Sequence, residues 1–130
     1  MSDFAEEELQ EALRAIASMI SRTEQTKRKF AQGTSHYTLQ KNRLEALHIA
    51  SSLSSGELAG SHDPCRYSQE DLKKAAAPIA SLISKSEKAQ RKLAQDSWQY
   101  TRLENNLKAL HIAVLLLAKA LSGADACEGP

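Results

Sequence analysis

Few residues of this chain can do chemistry, and their spacing narrows what that chemistry is. His48 stands three residues after Glu45, and a Glu-x-x-His step puts a carboxylate and an imidazole on one helix face, as in helical di-metal centres. The related stretch around His111 has Lys108 where Glu45 stands, and Glu24 falls at a different level from His48. No metal centre and no cofactor are therefore expected. "HDPC" brings His62 and Asp63 beside Cys65 but lacks the paired spacing of a zinc site. Cys65 and Cys127 both sit in polar, Gly/Pro-bearing segments and read as reduced surface thiols. There is no Gly-rich phosphate loop, no Ser/His/Asp set and no paired carboxylate cluster.

Arg43 and His48 form an Arg-x4-His step. It resembles the short motif of HEPN-type ribonucleases, which are also small helical bundles. The resemblance covers these two residues and implies RNA cleavage with Arg43 and His48 as the catalytic pair. Leu44 stands where that family usually has a polar residue, and Asn106 takes the place of Arg43 in the chain's second half.

Charge is distributed with a direction, although the net charge is only +1. Residues 21–43 carry Arg22, Lys27, Arg28, Lys29, Lys41 and Arg43 against Glu24. Residues 84–108 carry Lys85, Lys88, Arg91, Lys92, Arg102 and Lys108 against Glu87, Asp96 and Glu104. The first fourteen residues are acidic, with Asp3, Glu6, Glu7, Glu8 and Glu11 against Arg14. Helix dipoles explain acids at helix starts and bases at helix ends. They do not explain Lys41, Arg43 or Arg102, which follow the turns. Lys27, Arg28, Lys29, Arg91 and Lys92 are thus candidates for binding an anion or nucleic acid. Trp98 is either a stacking platform beside them or a cover over the bundle end. Thr23, Ser86, Lys27 and Gln90 interrupt the apolar faces near the turns, and Tyr37 and Tyr100 are expected close by, so that Thr23, Tyr37, Ser86 and Tyr100 can bond to one another. They form a polar core layer that fixes hairpin register or lines a small polar pocket.

The elements that position these residues are written twice. Shifted by 63 residues, 16–50 falls on 79–113 without a gap, and "NRLEALHIA" meets "NNLKALHIA". Apolar or small residues recur at steps of three and four, which marks helices. Leu9, Leu13, Ile16, Ile20, Thr23 and Phe30 give a first face, and Leu72, Ala76, Ile79, Ile83, Ser86 and Leu93 its counterpart. Asp3 and Ser68 are candidate N-caps, and Tyr67 can staple onto Leu72. Gly33 with Thr34, and Asp96 with Ser97, predict turns near 32–34 and 95–97. Pro78 predicts a kink or a short separate turn at 68–77. The expected fold is all-α: an up-down-up-down four-helix bundle made of two tandem, internally duplicated hairpins about a pseudo-twofold axis. Residues 1–130 form one domain, with repeats at about 3–53 and 67–122, a linker at 54–66 and a loose tail at 123–130.

On the last helix Leu107, Leu110, Val114, Leu117 and Leu121 are expected to face the bundle. Ile112, Leu115 and Leu116, with Ile49 and Leu53 of the second helix, are then expected to form an outward apolar stripe and a homodimer contact. The acidic start is neither a secretory signal nor a transit peptide, and no apolar run spans a bilayer, so a cytoplasmic setting without membrane contact is expected. The first functional expectation is a non-enzymatic protein-interaction or scaffold module whose partner is protein, self or other. The second is a nucleic-acid or anion binder, and the third a ribonuclease-like enzyme.

Overall fold

The computed structural model describes residues 4–60 and 67–127, with side chains through residue 122. Four helices follow in chain order: α1 (Glu6–Lys27), α2 (Ser35–Ala59), α3 (Gln69–Gln90) and α4 (Trp98–Cys127). Hydroxyl caps start three of them. The N–H of Tyr37 donates to Thr34 Oγ1 (3.2 Å), that of Asp71 to Ser68 Oγ (3.1 Å) and that of Tyr100 to Ser97 Oγ (3.2 Å). α1 begins after Ala5, whose N–H donates to the Glu8 carboxylate at 3.2 Å. Glu6, Glu7 and Glu8 in its first turn suit the positive end of the helix dipole. The N-cap position of α1 thus belongs to Ala5 and not to Asp3 as expected; Asp3 itself lies outside the described residues.

Both turns are longer than the sequence pattern implies. α1 stops at Lys27 and α3 at Gln90, so Phe30 and Leu93 lie in turns rather than on helix faces. The helix ends tighten from i−4 to i−3 bonding, with the Lys29 N–H on the Thr26 carbonyl (3.1 Å) and the Lys92 N–H on the Ala89 carbonyl (3.2 Å). Gly33 has φ 89°, a left-handed value that side chains resist. Asp96, at the matching position of the second turn, has no such φ.

α1 packs on α2 and α4, and α3 packs on α4 and α2. α2 and α4 also touch across the middle, whereas α1 and α3 do not. Leu9, Ile16, Leu47, Leu72, Ile79 and Leu110 are fully enclosed. The repeated nonapeptide supplies the centre: Ala46, Leu47 and Ala50 of α2 and Ala109, Leu110 and Ala113 of α4 are all buried. Small residues on either side of a leucine let the two backbones approach across the diagonal.

Four expectations need correction. Half of the expected linker is helix, because α2 continues through "SSGELA" and ends only at Gly60, which adopts φ 71°. Ser54 and Glu57 are buried there, and Glu57 meets Lys119 of α4 at 3.2 Å. α4 likewise continues through the expected tail as far as Cys127. α3 runs through Pro78 as one helix, so the alternative of a short separate turn at 68–77 falls; buried Leu72, Ala75 and Ile79 hold the helix on both sides of the proline. Finally, Val114 is exposed while Ile112 and Leu116 are buried. α4 contacts three helices, so its buried face is wide rather than a single stripe. Among the described residues no helix is long and apolar enough to cross a membrane.

Candidate anion-binding groove

A groove of about 600 Å³ runs between α1 and α4. Arg14, Ser18 and Arg22 line it from α1, and Arg102, Asn105, Asn106 and Lys108 line it from α4. Ala12, Ala15 and Ala109 are too short to fill its floor. Arg22, near the end of α1, feels the charge of Arg102, near the start of α4. The two helices are therefore antiparallel, and both turns lie at one end of the bundle.

The groove stays open because of one residue. Under the 63-residue shift, Asn106 and Ser18 correspond to Arg43 and Ser81. Between α2 and α3, the long Arg43 side chain reaches across and its Nη2 donates to Ser81 Oγ at 3.3 Å. Arg43 is only 7% exposed, so it fills that side of the bundle. Between α1 and α4 the shorter Asn106 leaves the space empty of side chain. Ser18 Oγ accepts instead from Arg22 Nη2, at 3.1 Å along the same helix.

Electrostatics single out the turn end of this groove. Burial, and then the Arg102 guanidinium, push the Arg22 pKa below its ordinary value. Among the described residues neither arginine has a carboxylate partner; the ion pairs are Lys74–Glu70 and Lys119–Glu57. Glu104, near Arg102 in sequence, instead accepts from Gln90 Nε2 at 2.8 Å. Arg102 lies over the ring of Trp98, 5.3 Å from its centroid. Trp98 is 67% exposed. Trp98, Arg102 and Asn105 follow at steps of four and three, so they share one side of α4. Arg28, Lys29, Arg91 and Lys92 are exposed in the two turns at the same end. Lys27 is drawn back onto the Tyr37 ring, 5.6 Å from its centroid.

The other candidate residues are dispersed. Arg43 is buried and His48 exposed. Five residues turn a helix by about 140°, so the two side chains leave α2 on different faces. Thr23 is buried, but its hydroxyl donates to the Met19 carbonyl of its own helix at 2.7 Å. A threonine that bonds back along its helix needs no partner across the core. Tyr37, Ser86 and Tyr100 are half-buried, and among the described residues no side-chain hydrogen bond joins them into a layer. Of the expected outward stripe, Ile49 and Leu53 are half-buried, Ile112 and Leu116 belong to the bundle's own core, and Leu115 is 58% exposed. His62, Asp63 and Cys65 lie outside the described residues. Among the described residues no group of three or more His, Cys, Asp or Glu is placed to hold a metal ion.

Residue type and spacing point to Arg22 and Arg102 only as part of the basic turn region and to Asn106 only as the replacement of Arg43; Asn105 carries no signal in the sequence. The readable signal was the exchange of Arg43 for Asn106 at matched positions, a loss of volume with no compensating gain at Ser18. Comparison with protein-family models, with curated proteins and with solved structures finds no match to this chain.

Proposed function

We propose that the protein is a non-enzymatic helical interaction module that captures an anionic partner at the turn end of the α1/α4 groove. The observation that carries this reading is that Arg22 and Arg102 line one groove, neither with a carboxylate partner among the described residues. Like charges held together in a partly enclosed site disfavour each other, and an anion between them relieves that. The exposed Arg28, Lys29, Arg91 and Lys92 add a field that attracts the same partner from a distance. In this reading the scaffold is a duplicated hairpin. Its support is that the bounds of α1 and α3, and the bonds of both turns, recur at the shift that aligns the sequence with itself.

The test is binding of heparin, a polyanion, at low salt. Wild-type protein is expected to bind and to weaken as salt rises. Arg22→Ala with Arg102→Ala is expected to weaken binding roughly tenfold or more while far-ultraviolet dichroism stays unchanged. Failure of the wild type to bind at low salt would end the proposal.

A further inference from the structure

We infer that the anion taken by this groove is single-stranded nucleic acid, with a phosphate between Arg22 and Arg102 and an adjacent base stacked on Trp98. The inference rests on the anion-binding reading above and goes beyond it by naming the ligand. A groove built for an acidic peptide needs cations alone. The chain's single tryptophan, two-thirds exposed, stands at the first position of α4, outside the groove's lining but against Arg102, which does line it. An indole left in water with Arg102 against one part of its ring is an unusual use of the most costly apolar surface. It fits a sequence-tolerant stacking platform, because every base has a π face. The next positions on that side of α4 are Asn105, exposed, and Asn106, buried at 5% exposure in the groove's lining, so Asn105 is the amide open to a ligand. Amides donate to and accept from base edges or sugar hydroxyls without adding charge. Glu8 and Glu11 line the groove far from the turns, so a polyanion is confined to the turn end.

The α2/α3 side is the internal contrast. There Arg43 occupies the matching space and bonds to Ser81, so that among the described residues the α1/α4 side alone of this matched pair is open to a strand.

Trp98 is itself the probe, as the only tryptophan. A short oligothymidylate is titrated into the full chain at low salt, with heparin as the base-free comparison. Stacking predicts quenching of Trp98 fluorescence by the oligonucleotide and not by heparin. Trp98→Ala, followed with a labelled oligonucleotide, is expected to bind it roughly tenfold more weakly and heparin unchanged. Asn106→Arg, which copies the plug of the opposite side, is expected to abolish oligonucleotide binding. Its fold is checked by dichroism and melting temperature; Asn106→Gln, a smaller increase in volume, serves in its place if that variant does not fold. If heparin binds but the oligonucleotide neither quenches Trp98 nor loses affinity in Trp98→Ala, the nucleic-acid inference is overturned and the anion reading stands. If neither ligand binds wild type, both fall.

Discussion

Arg43 illustrates how one side chain sets both stability and the location of the site. It is a cation with 7% exposure whose hydrogen bond is to a neutral hydroxyl, and its Nε has no partner among the described residues. Burial accordingly pushes its pKa down. A buried charge without a counter-ion is costly, and an apolar side chain of similar length is often better tolerated. Arg43→Met is expected to leave stability unchanged or to raise it by about 1 kcal/mol in urea unfolding. A loss above about 1 kcal/mol would mean that the Ser81 bond matters more than the desolvation. Arg43 and its match Asn106 share a position yet differ in length, and that difference alone distinguishes a filled side of the bundle from an open one.

At the scale of elements, α4 shows how contact geometry overrides a simple reading of periodicity. A helix that touches one neighbour needs a stripe, but α4 touches α1, α2 and α3. Its buried arc therefore takes in Ile112, Ala113, Leu116 and Leu117 and leaves Val114 and Leu115 outside. Leu116, at 4% exposure, and Leu115, at 58%, adjoin in sequence and live in different media. Leu116→Glu puts a carboxylate into the core and is expected to cost roughly 3 kcal/mol or more, whereas Leu115→Glu stays within about 0.5 kcal/mol. Chemical denaturation of the two variants checks the pair. Equal effects would show that the face of α4 is assigned wrongly. The same reasoning explains why α2 outlasts its expected end. Ser54 and Glu57 are buried, and Lys119, itself half in solvent, is placed to hold the Glu57 carboxylate at 3.2 and 3.3 Å.

At the scale of the molecule, neither hairpin is closed on itself. α1 leans on α4 and α2 on α3, so each hairpin completes its neighbour's core. A split into independent hairpins would expose Leu47 and Leu110 together, two side chains with no exposure in the fold. The chain is expected to unfold in a single transition, with equal calorimetric and van't Hoff enthalpies. Two resolved transitions would show that the hairpins are separate units. The diagonal contact of α2 and α4 is the reason that unity is expected, since it adds a shared layer of Ala46, Ala50, Ala109 and Ala113 to the side-by-side contacts.

The sequence by itself determined the four helices, the hydroxyl caps of α2, α3 and α4, and the order of the elements. Those depend on steps of three and four residues and on hydroxyls placed at Thr34, Ser68 and Ser97, all local properties of the chain. It also placed positive charge around both turns, because charge is carried by residue identity alone. It did not determine which faces of α4 are wet, where α2 stops, or that Arg22 and Arg102 share one site. Each of those depends on which helices become neighbours, and residues some eighty positions apart meet only once the bundle closes. The open groove is likewise a tertiary property: Asn106 is an ordinary asparagine in the sequence, and it becomes a missing plug only beside Ser18, Ala12 and Ala15.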